Sequence, residues 1–280
     1  MYLGCHISIR KGFLNAAKTA QKIGASAFQY FPKNPRSLKL KQVDQLDAQA
    51  CAEFCEAKDM LSIAHTPYPT NLAVEDQLRN QMAASILNDL EIANSCGSLG
   101  LVVHFGKFSG KDPLQGYKNI LQCLNGVLSK WHGKTLILLE NQAGMGTKMG
   151  MTFEELIQIR NLAQYPEKIG FCFDTCHAYA SGLWNETNWE ELYRHGEKLG
   201  FFKHVKAVHL NDSKYSSGSY RDRHENIGYG MIGEHRFELF LKSGWLKAIP
   251  IILETPTSQH RSYEQELKYI NRLIHKGDRK

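Results

Sequence analysis

The segment SLGLVVHF, residues 98–105, is a short run of mostly apolar side chains in which a histidine, His104, stands next to last. The run is rich in valine and leucine and does not alternate with polar residues, which is typical of a strand buried on both faces of a sheet. Further runs of this kind predict strands near residues 2–8, 26–31, 61–65, 135–141, 169–175, 204–211 and 249–254.

The segments between these runs have the periodicity of amphipathic helices, as at 12–23, 74–95, 113–131, 153–163, 188–199, 234–243 and 260–275. Strands that alternate with helices indicate βαβ units and a parallel sheet. Eight units predict a (β/α)8 TIM barrel, which we expect to be a single domain over residues 1–280, because no linker-like stretch divides the chain. A doubly wound open sheet is the alternative. The long connection 212–233 is of the kind that carries function.

The composition says little about the class of protein but more about the cellular compartment in which it works. The chain has 34 Lys+Arg and 28 Asp+Glu, a formal charge of +6 that is compatible with a polyanionic partner. Its seven cysteines form no CxxC motif, which indicates a reducing compartment. No signal-peptide pattern opens the chain, and no apolar run approaches the roughly 20 residues of a membrane span. We therefore expect a cytoplasmic protein, with nuclear access in a eukaryote.

Metal-capable side chains stand at the ends of six predicted strands. The set comprises His65, His104, Glu140, Asp174 with His177, His209 and Glu254. Each one alone has an ordinary explanation as a loop histidine, a helix cap or a salt-bridge partner. In a barrel, however, the C-terminal strand ends meet on one face, where seven polar groups would be costly to bury without cations. The pattern therefore predicts a metal site.

Two residues of the long connection, Asp222 and His224, raise the candidates to nine. Their spacing lets an extended segment point both side chains the same way. A mixed set of imidazoles and carboxylates suits Zn²⁺ or Mn²⁺, whereas Ca²⁺ and Mg²⁺ prefer oxygen ligands alone. Nine ligands exceed the needs of one ion and would hold two or three with one bridging carboxylate. Such a cluster is suited to the hydrolysis of phosphoesters.

Seven segments closely resemble the endonuclease IV family: AHTPYPTNL (64–72), LVVHFG (101–106), LLENQAGMG (138–146), CFDTCHAYASG (172–182), VHLNDSK (208–214), DRHENIGYGMIG (222–233) and ILETP (252–256). The resemblance implies a TIM barrel that holds three zinc ions, with Mn²⁺ as an alternative in some positions. It assigns His65 and His104 to the first ion and Glu140 as a bridge to the second. It further assigns Asp174, His209 and Glu254 to the second ion, and His177, Asp222 and His224 to the third.

The same resemblance implies an apurinic/apyrimidinic endonuclease that hydrolyses double-stranded DNA 5′ to an abasic site in base excision repair. Glu140 and Glu254 would be its catalytic carboxylates, and the sequence does not decide which one accepts a proton. Asn34, Arg36 and Tyr68 would contact DNA, the last two as wedges that offset the cost of unstacking. Loop cations that could meet phosphates are Lys33, Lys107, Lys148, Lys214, Arg221 and Arg223. We expect a monomer.

Three other functions compete with this interpretation. A sugar isomerase of the same barrel superfamily would need only one or two ions, so that the pair Asp222 and His224 argues against it. A non-catalytic DNA-binding barrel would have no need for all nine ligands. An endonuclease for ultraviolet damage would differ in the lesion that it recognises.

Overall fold

The computed structural model describes residues 1–185, 189–257 and 259–276. Eight parallel strands close into a barrel in the order β1-β10-β7-β6-β5-β4-β3-β2. These strands are β1 (Tyr2–His6), β2 (Ala27–Tyr30), β3 (Leu61–His65), β4 (Gly100–His104), β5 (Leu136–Glu140), β6 (Ile169–Asp174), β7 (Val205–His209) and β10 (Pro250–Leu253). The predicted TIM barrel is therefore confirmed, and the alternative of an open sheet is wrong.

Helices cover the outside of the barrel. They are α1 (Phe13–Lys22), α2 (Gln45–Ala57), α3 (Asp76–Ser95), α4 (Pro113–Leu128), α5 (Phe153–Leu162), α6 (Thr175–Ser181), α7 (Trp189–Leu199), α8 (Glu234–Leu241) and α9 (Tyr263–Ile274). Short 3-10 helices lie at Pro166–Lys168, Phe202–His204 and Gly244–Ala248. Each predicted helix has a counterpart among these, and the predicted start at residue 188 lies outside the described residues.

Two helices and a hairpin were not foreseen. Helix α2 buries only small side chains, Ala48, Cys51 and Cys55, so its apolar stripe is weak, and it begins instead at a polar cap, Asp44. Helix α6 follows β6 directly. Inside the long connection, β8 (Asp212–Ser213) pairs antiparallel with β9 (His224–Glu225). A two-residue strand pair is too short to leave a periodic signal in the sequence.

The inside of the barrel is filled by one residue from each strand at the same height. Seven of these residues form a separate apolar cluster: Ala27, Ile63, Val102, Leu138, Cys172, Ala207 and Ile252. The equivalent position in β1 is Gly4, where an added Cβ would lie 1.9 Å from the backbone oxygen of Ala27. Because side chains alternate between the two faces of a strand, the next inward position on every strand lies two residues further on.

The structure shows the state of the cysteines and the character of the described helices. All seven cysteines are buried and unpaired. Within the described ranges, no helix combines the length and apolar character needed to cross a lipid bilayer.

Candidate metal centre

A ring of polar side chains occupies the next inward layer, two residues beyond the apolar one on each strand. The ring consists of His6, Gln29, His65, His104, Glu140, Asp174, His209 and Glu254. Six of its eight members were singled out from the sequence as ends of apolar runs. The barrel thus converts a period-two pattern in eight separate strands into one polar layer at its C-terminal mouth.

Glu140 lies at the centre of this layer and is almost fully buried. Its Oε2 atom lies 2.7 Å from Nε2 of His104 and 3.6 Å from Nε2 of His65. Its Oε1 atom lies 2.9 Å from Nδ1 of His209 and 3.3 Å from Nδ1 of His177. One carboxylate therefore contacts four imidazoles, an arrangement suited to a ligand that is shared between cations.

The candidate ligand atoms converge in groups whose members lie within 4.8 Å of one another. One group comprises His65, His104 and Glu140, and a second comprises Glu140, Asp174, His209 and Glu254. Two further groups share His224: one contains Asp174 and His177, and the other contains Cys176 and Asp222. All nine residues selected from the sequence thus lie together at the barrel mouth.

The histidine rings present lone pairs toward carboxylates. Nδ1 of His65 donates to the carbonyl oxygen of Thr66 at 2.8 Å, and Nε2 of His209 donates to Oε1 of Gln29 at 2.7 Å. In a neutral imidazole the other ring nitrogen is then an acceptor, and in both rings it faces Glu140. Two acceptors in contact repel each other unless a proton or a metal cation lies between them. The lone pairs of these two imidazoles and of the Glu140 carboxylate therefore fit the ligands of a metal centre.

The groups that share His224 also indicate a metal site, because they contain buried nitrogen atoms without a hydrogen-bond partner among the described residues. Nε2 of His177 and Nε2 of His224 are buried and make no hydrogen bond within the described part of the chain. Both lie near Oδ1 of Asp222, at 3.3 and 3.4 Å respectively. Nδ1 of His177 is oriented by the carbonyl oxygen of Asn141 at 2.9 Å, the kind of contact that fixes a metal-binding ring.

The buried carboxylates dominate the electrostatics of the layer. Burial opposes the charged forms, yet Asp174 and Asp222 raise the pKa of His177 well above its ordinary value. Burial also opposes ionisation of Glu140, but His104 and His209 lower the pKa of its carboxyl well below the usual range. The pocket therefore attracts positive charge strongly, whether protons or metal cations supply it.

Gln29 is a ring member that the sequence analysis did not select. It is fully buried, accepts from His209, and donates through Nε2 to Oε1 of Glu254 at 2.6 Å. Its Nε2 atom also lies 3.2 Å from Nδ1 of His6. Gln29 therefore orients two candidate ligands at once. The available signal was its place two residues after Ala27, the same spacing that separates Ile63 from His65.

Two asparagines that follow candidate ligands were also missed. The amide of Asn141 donates to the backbone oxygen of Asp174 at 3.0 Å and accepts from its backbone nitrogen at 2.8 Å. Asn211 donates to Oδ2 of Asp174 at 2.8 Å, and its Oδ1 accepts from the backbone nitrogen of Glu254 at 2.9 Å. Both residues fix neighbouring strand ends relative to each other.

The segment that carries Asp222 and His224 is held by the buried Asp212. The carboxylate of Asp212 accepts from the backbone nitrogens of Gly228 and Ile232, each at 2.9 Å. These bonds fold the irregular connection back over the barrel mouth. Cys176, also missed, donates to the backbone oxygen of Arg223 at 3.7 Å, and burial raises the pKa of its thiol to about 12.

The three predicted DNA contacts lie beside the ligand layer. Arg36 and Asn34 are exposed in the loop after β2, and Tyr68 is 70% exposed in the loop after β3. Tyr68 lines a cavity of about 290 Å³ together with His65, His104 and Glu254. Arg36 lines an adjoining cavity of about 850 Å³.

The adjoining cavity has a basic lining. It carries Arg10, Arg36 and Lys41, with no carboxylate among its described lining residues. Its boundary with the smaller cavity is formed by His6 and Phe31, which line both. A basic groove that opens onto the polar layer has the charge needed to hold a polyanion beside it.

One of the six candidate loop cations is not available for a phosphate contact. Lys33 is only 5% exposed, and its Nζ atom lies 3.1 Å from Oδ1 of Asp89 on α3. The reason is the direction of the chain after β2, which turns this side chain under the loop. The other five loop cations are all exposed in loops after strands: Lys107, Lys148, Lys214, Arg221 and Arg223.

Comparisons with known proteins agree with this geometry. The family described as xylose isomerase-like TIM barrel matches residues 17–273. The chain is 41% identical over 275 residues to a protein of Symbiobacterium thermophilum named "Probable endonuclease 4", which covers 98% of this chain and 100% of that one.

Among solved structures, endonuclease IV from Thermus thermophilus aligns with a TM-score of 0.86 at 31% identity, covering 99% of this chain and 100% of that one. A D-tagatose 3-epimerase-like protein aligns with a TM-score of 0.71 over 99% of both chains, but at 18% identity, which shows the shared fold alone. Since the sequence and structural similarity extend over nearly the whole chain, it belongs to the endonuclease IV group of the xylose isomerase-like TIM barrel family.

Proposed function

We propose that this protein is an apurinic/apyrimidinic endonuclease of base excision repair. It hydrolyses the phosphodiester 5′ to an abasic site in double-stranded DNA, leaving a 3′-hydroxyl and a 5′-deoxyribose phosphate. The single observation that carries the proposal is the polar layer of the barrel, whose imidazoles turn lone pairs toward buried carboxylates. We further propose a single-domain monomer, cytoplasmic or, in a eukaryote, with access to the nucleus.

The ligand set is proposed to hold three zinc ions, with manganese able to replace zinc in some positions. His65 and His104 would bind the first ion, and Glu140 would be shared with the second. The other ligands of the second ion would be Asp174, His209 and Glu254, and those of the third His177, Asp222 and His224. Bound divalent cations supply a nucleophile near neutral pH and stabilise the charge on the phosphate and the departing oxygen.

The side chains of the layer prepare the site for that chemistry. Glu254 is held by Gln29 through Oε1, which leaves Oε2, 3.2 Å from Nδ1 of His209, directed to the centre of the layer. Glu140 is fixed by its four imidazole neighbours. We propose that one of these two carboxylates accepts the proton of the attacking water, because Glu254 lines the cavity and Glu140 contacts His65 and His104, which line it too.

Recognition of the lesion is proposed to fall to the loops beside the layer. A sugar without a base has neither stacking nor pairing, so that its displacement from the duplex is inexpensive. Tyr68 and Arg36 project from the loops at this edge and would fill the space that the sugar leaves, as wedges do in other kinked duplexes. Asn34, in the loop that carries Arg36, would also contact DNA.

The decisive experiment is incision of a duplex that carries one tetrahydrofuran abasic analogue, before and after prolonged chelation. The analogue cannot undergo β-elimination, so any cut is hydrolytic. We expect a single cut on the 5′ side of the lesion that is lost on chelation and restored by zinc or manganese. If the metal-loaded protein leaves the duplex intact, the proposal is wrong, and aldose or ketose isomerisation becomes the activity to assay.

A further inference from the structure

Lys33 is a buried lysine that lies directly before the predicted DNA contacts Asn34 and Arg36. Its Nζ atom donates to the backbone oxygen of Ser85 and to the hydroxyl of Ser85, both at 2.9 Å, and forms an ion pair with Asp89. Three contacts from one ammonium group fasten the start of the loop to helix α3. The side chain therefore has no role in direct contact with DNA.

The far end of the same loop is fastened to the same helix. The backbone nitrogen of Lys41 donates to Oδ1 of Asn88 at 2.9 Å, and Nδ2 of Asn88 donates to the backbone oxygen of Lys41 at 3.0 Å. Ser85, Asn88 and Asp89 are separated by three and four residues, so they share one face of α3. That face clamps the loop at both ends.

The clamped loop in turn supports Tyr68. The backbone nitrogen of Tyr68 donates to the backbone oxygen of Pro35 at 2.8 Å. The ring of Phe31 lies 5.2 Å from the ring of Tyr68 and 5.5 Å from the ring of His65, with edge-to-face geometry in both cases. The two recognition loops thus form one unit that is tied to α3 at one end and contacts a candidate metal ligand at the other.

Fastening the loop with buried charges is costly. Burial lowers the pKa of Lys33 and raises that of Asp89 to about 7, and each partner opposes the shift of the other. Buried ion pairs are often no more stabilising than apolar side chains of similar volume. Unlike an apolar side chain, an ammonium group forms directional hydrogen bonds, and these fix the position of the backbone at residue 33.

We propose that Lys33 and Asp89 are positioning residues for lesion recognition: they hold the backbone of 33–36, and through Pro35 that of Tyr68, where Arg36 and Tyr68 can enter the gap at an abasic site. The inference rests on the proposed endonuclease function. It assigns to Lys33 an indirect role that acts through Arg36 and Tyr68. Helix α3 then sets the position of the recognition edge, by which we mean the loops that carry Asn34, Arg36 and Tyr68.

The test compares Lys33→Met with Lys168→Met in the zinc-loaded full-length protein. Lys168 is a matched control, since its Nζ atom likewise donates two hydrogen bonds, in this case to the backbone oxygens of Leu128 and Trp131. It directly precedes β6, at the opposite end of the barrel. Incision of the tetrahydrofuran duplex gives KM and kcat, and thermal unfolding and zinc content are measured alongside.

We expect Lys33→Met to raise KM by about tenfold or more while kcat stays within about threefold, because a shift of about 1 Å in a positioned group costs up to a hundredfold. Zinc content stays at the wild-type level. Lys168→Met lowers the melting temperature but leaves KM unchanged. The double variant Lys33→Met with Asp89→Leu, which leaves no uncompensated charge, regains stability but keeps the raised KM.

The inference is overturned if KM of Lys33→Met equals that of the wild type, or if the double variant recovers both stability and KM, since the ion pair would then be structural only. Failure of the endonuclease proposal looks different. In that case the wild-type protein itself does not cut the duplex, whatever the variants do.

Discussion

The polar layer inside the barrel and the recognition edge beside it are positioned in different ways. In the layer, His65, Glu140 and His209 stand at the ends of strands, and the barrel register fixes their positions. At the edge, Arg36 and Tyr68 stand on loops whose course depends on contacts with α3 and with each other. The positions of the side chains in the layer follow from the alternation of residues along the strands. Those at the edge follow from hydrogen bonds and ion pairs that anchor the loops.

This difference implies that the two regions respond differently to mutation. A change in the layer alters the ligands or their orientation and should affect the chemical step and the retention of metal. A change at the edge leaves the ligands in place and should affect the binding of DNA. If the two regions are separable in this way, variants of the layer change kcat or metal retention, and variants of the edge change only the affinity for DNA.

The largest effect is expected for alanine at Glu140 or Glu254. Loss of either carboxylate should lower kcat by about a thousandfold or more, because charge stabilisation and proton transfer at the phosphate fail together. The fold should persist, which circular dichroism will show. Glu264→Ala is the control, because Glu264 is an exposed carboxylate on α9 paired with Lys268. If the Glu140 and Glu254 variants cleave at the wild-type rate, the polar layer takes no part in the chemical step.

A smaller loss is expected for Gln29→Leu. Leucine cannot accept from Nε2 of His209 or donate to Glu254, so both lose their orientation. Outer contacts of this kind are worth roughly 10–100-fold in metal affinity, and we expect zinc to be lost at a correspondingly lower concentration of chelator. The readout is zinc content during titration with a chelator. Gln49→Leu, on the exposed face of α2, should match the wild type.

Alanine at Tyr68 or Arg36 should weaken binding to abasic duplex by about tenfold with zinc content unchanged, since about 1.4 kcal/mol of wedge contact is lost. Fluorescence anisotropy on abasic and intact duplexes measures the effect. The intact duplex should be affected much less, because it offers no gap to fill. Equal weakening on both duplexes would make these residues general backbone contacts rather than readers of the lesion.

The smallest effect is expected for Arg221→Ala. Arg221 is exposed, and its guanidinium lies 4.7 Å from the ring centroid of Tyr215. A single lost phosphate contact should weaken binding to all duplexes alike and reduce the slope of log Kd against log salt by about one. An unchanged slope would mean that this side chain does not meet a phosphate.

The predictable part of the site followed from the polar residues that end apolar runs. An apolar residue that fills the barrel and a His, Asp or Glu two positions later is visible in the sequence, as with Ile63 and His65 or Leu138 and Glu140. Gln29 has the same spacing after Ala27 but was not predicted, because a side-chain amide is not among the usual ligands of zinc. Its importance comes from its partners His209 and Glu254, which are distant in sequence.

The sequence by itself determined the (β/α)8 architecture and brought six of the nine candidate ligands, those at the strand ends, to one end of the barrel, because both depend on a local alternation that each strand repeats. Only the tertiary structure decided that Lys33 turns inward to Asp89 rather than outward to DNA, and that Gln29 completes the polar layer. The physical reason is that the direction of a loop side chain, and the partner of a buried amide, are set by groups that meet only when distant segments pack together.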